Sequence, residues 1–193
     1  MSDDARVLTF TEQARREQLI AVTIHLVAEH GYAGTSLSGI AEGAGITKAA
    51  VLYHFGSKDA VVDAASAHVL DALVSRVGGA VESAAPAAAP AVYVRTMIDH
   101  LQQNPEHIRM IIEAATNQPQ DIDRSSRWRD LAATMTAARR ARGLDAGGPW
   151  RTLAITVGGG IDAIVAERLV DPDYDTAEAA EELVGIMERT LFA

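Results

Sequence analysis

The sequence predicts an all-α protein of about nine helices, and three observations carry that expectation. Apolar residues recur at helical spacing, as Leu19, Ile20, Ile24 and Val27 do near the start. The apolar fraction is 48%, rich in alanine and with only 5% aromatics, a balance that suits helices packed closely on helices. No stretch of useful length alternates apolar and polar residues as a half-buried strand would.

The elements follow in order. Residues 11–30 form an amphipathic helix that Gly31 should end. Thr35 or Ser36 caps a short helix whose apolar face is Leu37, Ile40 and Ala41, and Gly45 permits a sharp turn after it. Thr47 caps a third short helix, KAAVLYHF, with Val51 and Phe55 facing inward. Ser57 caps a fourth, longer helix expected to stop near Val77, before Gly78 and Gly79. Pro86 and Pro90 interrupt an alanine-rich connection. Helices are expected over 91–103, 105–117 with Pro105 in its first turn, and 122–142. Two more follow, at 150–170 and 176–192.

Composition removes several classes of function. Cysteine is absent, so disulfides and thiolate metal sites are excluded. No start resembling a signal peptide and no apolar run of roughly 18 residues is present, so a cytoplasmic protein without membrane contact is expected. The net charge of −9 is unevenly placed. Seven acids (Asp171, Asp173, Asp175, Glu178, Glu181, Glu182 and Glu188) face a single base, Arg189, at the C-terminal end. Arg15, Arg16, Lys48 and Lys58 slightly outnumber Glu17, Glu29 and Glu42 over residues 15–58, so a locally positive face remains available there.

Residues 36–55 read as helix, glycine turn, helix: a helix-turn-helix. The second helix of such a unit enters the DNA major groove, where base edges are distinguishable. The residue types suit that task. Thr47 and Lys48 stand at its N-terminal end, Ala49 is small enough for close approach, and Tyr53 and His54 carry hydrogen-bonding tips for phosphates. Lys58 can reach the same backbone, and Thr35, Ser36 and Ser38 complete the candidate set.

The segment GYAGTSLSGIAEGAGITKAAVLYHFGSKDAVV resembles the DNA-binding segment of TetR-family bacterial transcriptional regulators. The likeness runs from about RREQLIAVTIHLVAEHG to residue 62, with the G-x-x-x-T-S, I-A, A-G-I-T, Y-H-F and S-K-D elements in order. Two positions depart from it: Ser38 stands where the family often has arginine, and Leu52 where it often has tyrosine. Both remove contacting tips, which predicts a modest salt dependence, each neutralised phosphate contributing a slope of about −0.9. The resemblance implies residues 1–56 as a DNA-binding domain and 57–193 as an effector-binding and dimerisation domain. It implies a homodimeric, ligand-responsive regulator, most simply a repressor of a near-palindromic operator on double-stranded DNA, and not an enzyme. A helical ligand-binding or scaffold protein with weakened DNA binding is the alternative, kept open by Ser38, Gly39 and Leu52.

A short helix-turn-helix reads few base pairs and gains affinity from two copies, so a dimer interface is needed. Gly158, Gly159, Ile161, Val165, Leu183, Ile186 and Met187 on the last two helices are its candidates. Effector-pocket candidates are Tyr93, Met97, His100, Met110, Glu113, Asn117 and Trp128, flexible apolar surface with isolated polar groups. No metal site or cofactor is expected: His100 and His107 are too few for a metal. The Gly158–Gly160 run lacks a phosphate-loop context and reads as helix packing. Arg124, Arg127, Arg129, Arg139, Arg140 and Arg142 read as a solvated helix face.

Overall fold

Side-chain caps set several of the helix starts in the computed structural model, which describes residues 9–117 and 124–193. Among these residues there are nine helices: α1 (Phe10–Gly34), α2 (Leu37–Gly43), α3 (Lys48–Phe55), α4 (Lys58–Ser83), α5 (Ala89–Gln103), α6 (Pro105–Asn117), α7 (Arg124–Ala141), α8 (Trp150–Val170) and α9 (Thr176–Leu191). Thr9 and Glu12 form a reciprocal capping box at the start of α1. Ser36, Thr47, Ser57 and Asp175 each accept a backbone N–H at the head of α2, α3, α4 and α9. Of the two candidates for the α2 cap, Ser36 does the work. The Thr35 hydroxyl instead donates to the Gly31 carbonyl at 2.8 Å.

Gly31 leaves helical geometry (φ 70°, ψ 172°), so α1 is kinked where a stop was expected and resumes for a turn beyond it. That left-handed φ is one that residues with a β-carbon rarely adopt. The second boundary that differs is in α4, which continues through Gly78 and Gly79 to Ser83. Helical glycine costs about 1 kcal/mol relative to alanine. Val77 is buried on this stretch, and the cost of the two glycines does not end the helix.

Packing divides the chain into two units. One holds α1 to α3, α4 as far as Leu70, and α6 from Arg109 to Asn117. Leu19, Ile40, Ala41, Ala44, Val51 and Val61 form one cluster in it, backed by Val22, Leu26, Leu37, Ile46 and Phe55. Ile24, Val27, Val62, Ala65, Val69 and Met110 form another. This unit runs past residue 56 because Val61, Val62, Ala65 and Val69 of α4 belong to the clusters that hold α1.

The other unit holds α4 from Asp71, α5, α6 up to Ile108, and α7 to α9. Here α5 packs on α7, α8 and α9, while α8 lies against α7 and α9. Leu131, Met135, Ala154, Ile161, Met187 and Leu191 are fully enclosed. Arg95 of α5 grips Glu181 of α9 with two N–H donors, at 2.5 and 2.7 Å. That hydrogen bonding holds the Glu181 carboxyl below its ordinary range. The stabilisation is therefore present above that ordinary range and fades as pH falls through the lowered value. Both side chains are about half exposed, so solvent screens the pair. Glu181→Gln should leave the thermal midpoint at neutral pH nearly unmoved, as a calorimetric comparison with the parent would show.

Arg139 of α7 and Arg142, just beyond its end, have structural occupations. Arg139 donates to the carbonyls of Asp145 and Leu191, and Arg142 stacks over the Phe192 ring with its guanidinium carbon 3.4 Å from the centroid. The side chains of Arg124 and Arg127 lie outside the described residues.

Candidate nucleic-acid interface

The helix-turn-helix is built from local signals. Ser36 fixes the head of α2, and the turn after α2 closes through Gly45 N–H on Glu42 O at 3.0 Å and Ile46 N–H on Ala41 O at 2.9 Å. Gly45 takes φ 66° there, the left-handed geometry glycine tolerates without cost. Thr47 then accepts from Ala50 N–H at 3.2 Å and starts α3. Val51 is 0% exposed and pins α3 to α1 and α2. Burying a side chain of that size is worth about 1.5–3 kcal/mol.

The opposite face of α3 is open. Thr47, Lys48 and Ala49 are exposed, Tyr53 is 65% exposed and Leu52 37%. Ser36 and Ser38 on the neighbouring helix head are exposed as well. The structure thus brings Ser36, Ser38, Thr47, Lys48, Ala49 and Tyr53 to the surface of one unit. Thr35 is not among them: it is 3% exposed and occupied with the Gly31 carbonyl. His54 is half-buried, its ring meeting the Tyr53 ring edge-on at 5.2 Å.

Lys58 has local partners. Its ammonium donates to the Tyr32 carbonyl at 2.6 Å and sits 4.0 Å from the centroid of the Tyr32 ring. The Tyr32 hydroxyl bonds to Asp59, which raises the phenol's pKa, with burial a lesser cause. From α6, Glu113 accepts the Tyr32 N–H at 2.9 Å, and Arg109 donates to the Ala28 carbonyl at 3.1 Å. A β-carbon on Gly31 would stand 3.4 Å from the Glu113 carboxylate. Sequence reasoning placed Glu113 and Met110 in an effector pocket. The structure uses Glu113 to cap a turn of α1 and Met110 to fill the core beneath it. No periodicity in α6 signals this, because the partner is a backbone N–H far away in sequence.

The remaining pocket candidates fall in the other unit. Tyr93, Met97 and His100 are buried on α5, and the Trp128 ring of α7 covers Gly158 of α8. His100 and His107 ring nitrogens approach to 3.3 Å. Burial holds the His100 imidazole below its ordinary pKa, helped by the Arg76 charge and opposed by Asp99. Among the described residues no group of three or more potential metal ligands is assembled. The Asn117 side chain lies outside the described residues.

Of the interface candidates, Gly159 and Ile186 are exposed, and Leu183 is half-buried against Gly160. Gly158, Ile161, Val165 and Met187 are enclosed within a single chain. Among the described residues no helix is long and apolar enough to cross a membrane.

An all-α chain whose α2 and α3 form a capped helix-turn-helix with an open second helix is, by fold and site, a helix-turn-helix protein. Comparison with known proteins narrows the class. Residues 19–65 match the model of the bacterial regulatory proteins, tetR family. That match covers part of α1, the whole of α2 and α3 and the start of α4. It is 40% identical over 58 residues to the HTH-type transcriptional regulator BetI of Paraburkholderia phytofirmans, covering 30% of each chain. It is 30% identical over 97 residues to the HTH-type transcriptional regulator RutR of Escherichia coli, covering 50% of this chain and 46% of that one. The matched region thus spans less than half the length of these relatives.

Whole-chain likeness comes from solved structures. A TetR-like transcriptional regulator from a Rhodococcus species superposes with a TM-score of 0.78 at 17% identity, over 97% of this chain and 100% of that one. The regulator FadR of Bacillus subtilis, solved in complex with stearoyl-CoA, superposes at 0.71 with 16% identity, over 89% and 96%. At such identities the likeness establishes the fold alone.

Proposed function

We propose that this chain is a transcriptional repressor that grips a near-palindromic operator as a homodimer and is released by a small-molecule effector. The observation that carries the reading is the open face of α3: Thr47, Lys48, Ala49 and Tyr53 exposed on a helix whose opposite side is locked by Val51. A helix built only for packing has no need of a lysine at its first position, where the helix dipole disfavours positive charge. A phosphate or a guanine edge at that position favours it. In this reading residues 1–56 read DNA and 57–193 bind effector and dimerise, with Tyr93, Met97, His100 and Trp128 the pocket candidates. Selection from a random duplex library at low salt tests it. Enrichment of two half-sites about 34–36 Å apart is expected. Enrichment of no near-palindromic site would end the repressor reading.

Dimerisation in this reading uses the exposed strip of α8 and α9, where Ile155, Gly159 and Ile186 face outward. A two-fold axis would bring position 159 close to its own copy, and like charges opposed across an interface cost several kcal/mol. Gly159→Glu should therefore raise the dimer dissociation constant about 100-fold or more. Sedimentation equilibrium reads this directly, and an unchanged mass would put the interface elsewhere.

A further inference from the structure

We infer that Glu12, at the head of α1, is a positioning residue for Tyr53 whose charge limits DNA affinity; this rests on the DNA-binding reading above. The Tyr53 hydroxyl donates to Glu12 Oε1 at 3.3 Å. The other carboxylate oxygen, Oε2, is held by the Thr9 N–H at 2.9 Å and the Thr9 hydroxyl at 3.0 Å. Glu12 is thus anchored by its own capping box while its second oxygen meets the recognition helix. One turn further along the same face of α1, Arg16 donates to the His54 carbonyl, and its guanidinium carbon lies 4.0 Å from the centroid of the Phe55 ring. Positions 12 and 16 are neighbours on a helix surface. Together they brace the second half of α3 from one side.

The chemistry creates a competition. A phenolic hydroxyl has one proton to donate. A phosphate that receives it must take it from Glu12 and then rests beside a carboxylate that stays fixed by Thr9. Two like charges a few ångströms apart in partly screened solvent repel appreciably. Glu12 therefore orients an exposed ring before DNA arrives and opposes the phosphate once it does. Such a residue keeps binding weak enough to be reversed.

The full-length protein and its Glu12→Gln and Glu12→Ala variants test this by fluorescence anisotropy, on a selected duplex and on a random-sequence duplex of equal length. Glutamine keeps the capping box through its one oxygen, removes the charge and turns a donor NH2 towards the Tyr53 oxygen, which leaves the phenolic proton for phosphate. Glu12→Gln should bind the selected duplex about 10-fold more tightly at low salt, with the gain shrinking as salt screens the repulsion. Glu12→Ala keeps the Thr9 cap on the backbone N–H of residue 12 but loses its reciprocal half and the tyrosine's partner, and should bind less tightly than Glu12→Gln. A purely structural role would give no salt-dependent gain. Equal or weaker binding by Glu12→Gln would overturn the inference and leave the DNA-binding reading intact. Failure of the unaltered protein to bind either duplex would overturn both.

Discussion

Lys48→Ala is expected to lower specific DNA affinity about 30-fold or more, because the proposed homodimer would lose two contacts of about 1–3 kcal/mol each. Dimer mass and helix content should not change. The fold gives Lys48 little to do: it is exposed at the first position of α3, and the helix start is secured by Thr47 Oγ1 on the Ala50 N–H. Alanine is the better helix former, and removing a cation from a helix N-terminus relieves an unfavourable dipole interaction. The variant should therefore unfold at the same temperature as the parent or slightly above it. A local rule broken without structural return marks a functional position. Binding titrations on the selected operator, beside thermal unfolding, decide the matter: a variant with parental affinity would remove Lys48 from the interface. A variant that loses stability would make it a structural residue.

The elements legible in the sequence were those governed by neighbours along the chain. Ser36, Thr47, Ser57 and Asp175 act through N–H groups two or three residues away, and Gly45 through its own φ, so boundaries follow from local composition. Val51 was readable for the same reason, from its place in a helical repeat. What escaped sequence reasoning acts at a distance. Glu113 meets Tyr32, Arg16 meets His54 and Glu12 meets Tyr53 across long separations, and each pairing depends on how helices cross. Lys58 shows the difference sharply. Its position after α3 suggested phosphate contact, while tertiary packing gives its ammonium the Tyr32 carbonyl and ring. Helical periodicity likewise grouped Ile161, Val165 and Met187 with Gly159 and Ile186. It reports that a helix has an apolar face, and the helix that covers that face is a matter of tertiary packing.

The largest stability effect should fall at Gly158. A β-carbon there would lie 1.7 Å from Cζ3 and 2.2 Å from Cη2 of Trp128, far inside any permitted contact. Gly158 is itself buried, and Trp128 is a broad, rigid ring half-enclosed on α7, so relief requires α7 and α8 to separate or the ring to leave its place. Overpacking of this kind costs about 1–3 kcal/mol, occasionally more, and outweighs the roughly 0.8–1 kcal/mol that alanine gains over glycine in a helix. Gly79 supplies the opposite case. It too lies within a helix, but a β-carbon there meets nothing within 4 Å. Gly79→Ala should therefore stabilise by about 0.5–1 kcal/mol, and Gly158→Ala should destabilise by about 2 kcal/mol or more. Urea unfolding of both variants beside the parent reads the two signs in one experiment. Tryptophan fluorescence, read in a Trp150→Phe background so that Trp128 alone emits, gives a second readout, since a displaced ring shifts its emission even where the chain stays folded. Stabilisation by Gly158→Ala, with emission unmoved, would mean that Trp128 does not rest on α8 and that the glycine serves no packing need.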